Sequence, residues 1–175
     1  MKCIVLYSSK TGNTEKVAAA VCNALPAGTP CVPVADAPAD LSAYDCVFVG
    51  FWVDRGTADA AAKQLLERLE HPKIALFATL GADPSSPHAA DSLKSAAALR
   101  PADEPPVNTF ICQGKVDPQL IEEMKKMFAA GHPHAVTPER AALHQRASSH
   151  PDEADLAAAG AFTAETLKRL ERTGR

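Results

Sequence analysis

The chain has 175 residues, with 18 Lys and Arg against 21 Asp and Glu, a formal net charge of -3 and a pI near 6.1. That length bounds one domain with a proper core, and the acid balance argues against a nucleic-acid binder, which carries a basic excess. Met1-Lys2 leads straight into a short apolar strand and no run approaches membrane-spanning length, so a cytoplasmic location is expected.

Lys2 to Tyr7 reads as a buried strand that runs directly into Ser8-Ser9-Lys10-Thr11-Gly12-Asn13-Thr14, a hydroxyl-rich turn that opens a helix from about Thr14 to Leu25. The first N–H groups of such a helix have no intrahelical acceptor and point at any anion placed there, which the helix dipole also favours. Ser9, Thr11 and Thr14 add hydroxyl donors, Asn13 adds an amide, Lys10 lies within the turn, and Gly12 allows close backbone approach. The segment reads as a phosphate cradle, with an ordinary Ser/Thr-rich helix cap as the plainer alternative. It matches neither G-x-x-x-x-G-K-[ST] nor G-x-G-x-x-G.

Cys31 to Val34 forms a second short strand, and its Pro33 fits a sheet edge because it lacks a ladder donor. Asp45 to Gly50 is a third strand, followed by a loop that carries Trp52, the only tryptophan, and then by a helix from Thr57 to Leu69. Lys73 to Ala78 is a fourth strand, Thr79 to Pro84 a loop, Pro87 to Leu99 a helix, Pro101 to Pro106 a surface linker and Thr109 to Cys112 a fifth strand. This alternation predicts an α/β fold: a doubly wound, five-stranded parallel sheet in the order 2-1-3-4-5, with ligands beyond the carboxyl ends of the strands. The loops after strands one, three and four meet at that edge. One domain spans 1–175, with residues 1–116 as core sheet and helices and 117–175 as a helical C-terminal extension. Helices are expected near Pro118 to Ala130, Pro138 to Ser148 and Asp152 to Arg172.

Cys3, Cys22, Cys31, Cys46 and Cys112 are odd in number and lack Cys-x-x-Cys spacing, so they read as free thiols, mostly buried. His132, His134, His144 and His150 cluster in the tail without Cys or acidic companions at ligand intervals, and read as loop or partner-facing residues rather than a metal site. A phosphoacceptor receiver shares this topology but needs acidic residues where Tyr7-Ser8 and Gly50-Phe51 stand. No G-x-S-x-G elbow suggests a serine hydrolase.

The Ser9-Lys10-Thr11-Gly12-Asn13-Thr14 loop resembles the phosphate loop of the flavodoxin family, which holds FMN. Gly50 to Asp59, Thr79 to Pro84 and Gln113 to Pro118 are similar to the branch of that family that accompanies bacterial bilirubin reductase. The resemblance implies FMN as cofactor, gripped at its phosphate by Ser9 to Thr14. Trp52 would stack on the isoalloxazine ring, or else seal a helix–sheet seam; Phe51 would turn inward. Val53, Asp54 and Gly56 would lie beside the ring, and Thr79, Leu80, Gly81 and Asp83 along its pyrimidine edge. The second aromatic common in that last loop of the family is missing here, which leaves one ring face less covered. The implied role is electron transfer between a donor reductase and an acceptor such as a bilin-reducing flavoenzyme. An NAD(P)H-dependent FMN or quinone reductase and a flavin-free interaction module remain as alternatives.

Overall fold

The computed structural model describes residues 1–101, 104–127 and 137–173. In chain order the elements are β1 (Cys3–Tyr7), α1 (Asn13–Asn23), β2 (Cys31–Pro33), β3 (Cys46–Asp54), β4 (Thr57–Ala58), α2 (Ala60–Leu66), β5 (Ile74–Leu80), α3 (Pro87–Ala97), β6 (Asn108–Gln113), α4 (Pro118–Met127), α5 (Pro138–Ala147) and α6 (Glu153–Thr173). The sheet runs β2-β1-β3-β5-β6 with every neighbouring pair parallel. Apart from the two-residue β4, this is the expected 2-1-3-4-5 order. Pro33 lies on the edge strand, where its missing N–H leaves no ladder bond broken.

Successive residues of a strand point to opposite faces, so the central strands, apolar along most of their length, need a helical layer on each side. Val47, Val49 and Phe51 pack on one face with Ala62, Leu65 and Leu66 of α2 and Ala96 of α3. Cys46 and Phe48 pack on the other with Val17 and Val21 of α1 and Ala159 and Phe162 of α6. Each fully buried Val, Leu or Phe among them contributes about 1.5–3 kcal/mol relative to exposure. Phe162 meets Phe48 edge-on at 6.1 Å and stacks on Phe110 at 5.6 Å, so α6 closes the core. No helix among the described residues is long and apolar enough to cross a membrane.

Three of the boundaries that differ from the sequence expectation bear on the site. β3 continues past Gly50 to Asp54 because Phe51 and Trp52 still pair with Ala78 and Thr79 of β5; Trp52 is thus a strand residue, not a loop residue. Arg55 and Gly56, with φ of 49° and 79°, turn the chain back so that Thr57–Ala58 pairs antiparallel with Val53–Asp54, as in a two-residue hairpin. The helix expected from Thr57 therefore starts only at Ala60. β5 likewise continues through Thr79 and Leu80. The last turn of the helix expected to end at Ala130, part of the Pro101 to Pro106 linker, His132 and His134 lie outside the described residues.

Candidate functional site

Asp59 caps α2, Ser86 caps α3 and Thr137 caps α5, each by accepting from backbone N–H groups in the first turn. α1 is different. Its N-cap is Gly12, at φ 85° with no side-chain cap, so the N–H groups of its first turn face outward without a side-chain acceptor. Only glycine takes this backbone angle without strain, and a Cβ built on Gly12 meets nothing within 4 Å. The backbone angle, rather than crowding, selects glycine here.

Ser9 Oγ accepts from the Gly12 N–H at 3.1 Å, and Thr11 Oγ1 accepts from Asn13 Nδ2 at 3.1 Å. Both hydroxyls use an oxygen lone pair in these bonds and keep their O–H protons for an anion. Asn13 Nδ2 also donates to the Lys115 carbonyl at 2.8 Å. Thr14 departs from its expected role: its hydroxyl is buried and shares a 2.9 Å hydrogen bond with Thr79, so it fastens α1 to the sheet. Only its backbone N–H, in the uncapped first turn, remains for an anion.

Beside this cradle runs a groove of about 140 Å³. Trp52 and Thr79 form its sheet side, and Lys10, Thr11 and Asn13 close its cradle end. The Lys10 ammonium sits 5.8 Å from the centre of the Trp52 ring, a cation–π placement that also brings positive charge to the groove mouth. Val53, Leu80 and Gly81 complete the portion anticipated from sequence. Other expected residues lie elsewhere. Phe51 is fully buried in the opposite core layer, Asp54 flanks the hairpin turn, and Gly56 stands beside His88 of α3. Asp83 accepts from the Ser85 N–H and hydroxyl at 2.8 and 2.7 Å, and these bonds hold its carboxyl below the usual range.

The opposite side of the groove was not expected. Gly114, Lys115, Val116, Asp117 and Leu120 line it. Gly114 N–H donates to the Leu80 carbonyl at 2.8 Å, and a Cβ on Gly114 would lie 3.0 Å from Asn13 Nδ2. Glycine is what lets this strand end pass close to the cradle. Asp59, 3% exposed, was missed as well. Its Oδ1 accepts from the Ser8 hydroxyl at 2.7 Å while Oδ2 is buried without a partner; it ties the root of the cradle to α2. A wider depression of about 620 Å³, bounded by residues 39–42, 44–45 and 68–73, lies at the amino ends of the strands, away from the edge where this topology binds ligands.

The cradle's donor set fits a phosphate monoester, and the adjoining apolar slot, walled on one side by Trp52, fits a flat ring system in chemistry. FMN combines those two parts. Comparison with known proteins agrees. The flavodoxin domain family matches residues 4–164. A flavodoxin-like domain-containing protein BilS from Clostridioides difficile (strain CD3) is 35% identical over 165 residues, covering 93% of this chain and 94% of that protein. Oxidised flavodoxin 2 from Bacillus cereus superposes with a TM-score of 0.56 at 15% identity, covering 97% of this chain and 99% of that one. A flavoprotein from Lactobacillus acidophilus NCFM, solved in complex with FMN, gives 0.50 at 15% identity over 63% of this chain and 92% of that one.

Proposed function

This chain belongs to the flavodoxin family, and from that premise we propose that it is an electron carrier whose acceptor is a partner flavoenzyme such as a bilirubin reductase. FMN is its cofactor. The observation that carries the reading is the uncapped start of α1, with Gly12 at φ 85°, opening onto a groove walled by Trp52. Ser9, Thr11 and the first-turn N–H groups hold the phosphate, and Lys10 adds a positive charge beside it. Trp52 offers its face to the ring with little side-chain entropy to lose. When bound, the flavin supplies the one- and two-electron chemistry, and the protein supplies orientation and electrostatics. The BilS name of the 35% identical relative supports a bilin-reducing acceptor.

Reduction kinetics test the carrier role. FMN-loaded protein mixed with NADPH alone is expected to stay oxidised for hours. Protein reduced by light is expected to reoxidise when a bilirubin reductase and bilirubin are added under anaerobic conditions. Rapid direct reduction by NADPH would make it a reductase in its own right.

A further inference from the structure

The groove of about 140 Å³ is smaller than the ~300 Å³ at the lower end of small-molecule pockets. As it stands the groove encloses less than a tricyclic ring, so covering both faces of the ring requires one side to move. The sheet side is fixed: Trp52 is in register with Thr79 across β3 and β5, and Thr79 is bonded to Thr14. The opposite side is built differently. Up to Lys115 the chain is fastened, by Gly114 N–H to Leu80, by Lys115 N–H to the His150 carbonyl at 2.9 Å, and by Asn13 to the Lys115 carbonyl. Beyond Lys115 the hydrogen bonds of residues 116–127 among the described residues are local to the segment. α4 buries none of its residues, and Leu120 and Met127 are 40% and 66% exposed. Leu120, Met124 and Met127 recur at the spacing of one helical face, and none of them is buried among the described residues.

Building on the FMN reading, we propose that Val116 and Leu120 form a movable second wall that withdraws to admit the flavin ring and then covers the face opposite Trp52. Val116 already rests on the β5 end, its Cγ2 2.4 Å from where a Cβ on Gly81 would be. Glycine at 81 makes room for this wall. The wall is aliphatic: it shields the ring from water and buries Leu120, without a second aromatic stack. Val116 and Leu120 thereby act as positioning residues for the cofactor, closing the face that Leu80, nearly buried itself, does not cover.

The test uses the full chain. Leu120→Asp alters an exposed residue and leaves the core intact, and Met127→Gln serves as a control on the same helix outside the groove. Flavin titrations are expected to show Leu120→Asp weakening FMN and riboflavin alike, by about tenfold or more, the weight of one leucyl side chain. Met127→Gln is expected to match the parent. Saturating FMN is expected to slow amide hydrogen exchange over residues 116–127. FMN binding with unchanged affinity in Leu120→Asp, or unchanged exchange over 116–127, would overturn the wall while leaving the FMN reading in place. Failure of the parent chain to bind FMN would overturn both.

Discussion

Thr11 and Trp52 face different parts of one ligand, so their substitutions separate. Thr11→Ala removes a hydrogen bond to a charged phosphate, worth about 1.5–3 kcal/mol. It is expected to weaken FMN by roughly tenfold to a hundredfold and to leave riboflavin, which has no phosphate, unchanged. Trp52→Ala is expected to weaken both flavins and to relieve part of the quenching of flavin fluorescence. Gly50 sits on the same face of β3 as Trp52, and a Cβ there would lie 2.2 Å from the Phe77 ring. Gly50→Ala therefore overpacks a rigid aromatic and is expected to destabilise the fold by about 1–3 kcal/mol, read as a lower urea midpoint. At this scale the candidate cradle was legible in Ser9, Thr11 and Gly12, which lie in a contiguous run, whereas the Asn13 amide, expected as a donor to the anion, spends both its protons on Thr11 and Lys115. Thr14 was misjudged because its residue type fits both an anion donor and a buried tie, and only Thr79, 65 residues away, decides between them.

Elements show where sequence reading stops at pairing. The order of the five parallel strands followed from strand–helix alternation and from Pro33, both local signals. The end of β3 did not. Asp54-Arg55-Gly56-Thr57 has the composition of a loop, yet Arg55 and Gly56 both take positive φ and fold the chain into a hairpin. Arg55 is a rare occupant of that region, so its conformation could not be anticipated. Gly56→Ala is expected to destabilise the hairpin by roughly 1–2 kcal/mol through the left-handed strain on a Cβ. The measurement is faster amide exchange at Thr57 and Ala58 with little change at β1. α6 was predicted as a helix but assigned to an extension. Its membership in the core depends on Phe162 meeting Phe48 and Phe110, contacts that no periodicity within α6 reveals. The second wall escaped notice for the same reason: Gln113 to Pro118 was singled out as a phrase, but its chemistry lies in what it approaches, not in its own side chains.

For the whole molecule, burial of thiols sets an alkaline limit. Desolvation pushes Cys46 and Cys112 up to about 12 from an ordinary value of 9.0. In the folded protein these groups stay protonated while the unfolded chain loses the protons, so between about pH 9 and 12 the unfolded state binds fewer protons. Stability is full below pH 9 and falls as pH rises through this window, each thiol adding a slope of up to about 1.4 kcal/mol per pH unit. Cys46→Ala is expected to flatten that fall while lowering stability at neutral pH through the cavity it leaves; urea midpoints from pH 7 to 10.5 measure both. The parallel sheet, its two helical layers and the ligand edge beyond the strand ends thus follow from the sequence, whereas the groove's depth and its second side depend on long-range packing.

The most direct test of the account is a titration of the flavin-free protein with FMN and, in parallel, riboflavin, followed by flavin fluorescence. Saturable quenching of FMN and much weaker binding of riboflavin are expected, because the uncapped start of α1 grips the phosphate. Equal affinity for the two flavins, or binding of neither, would contradict it.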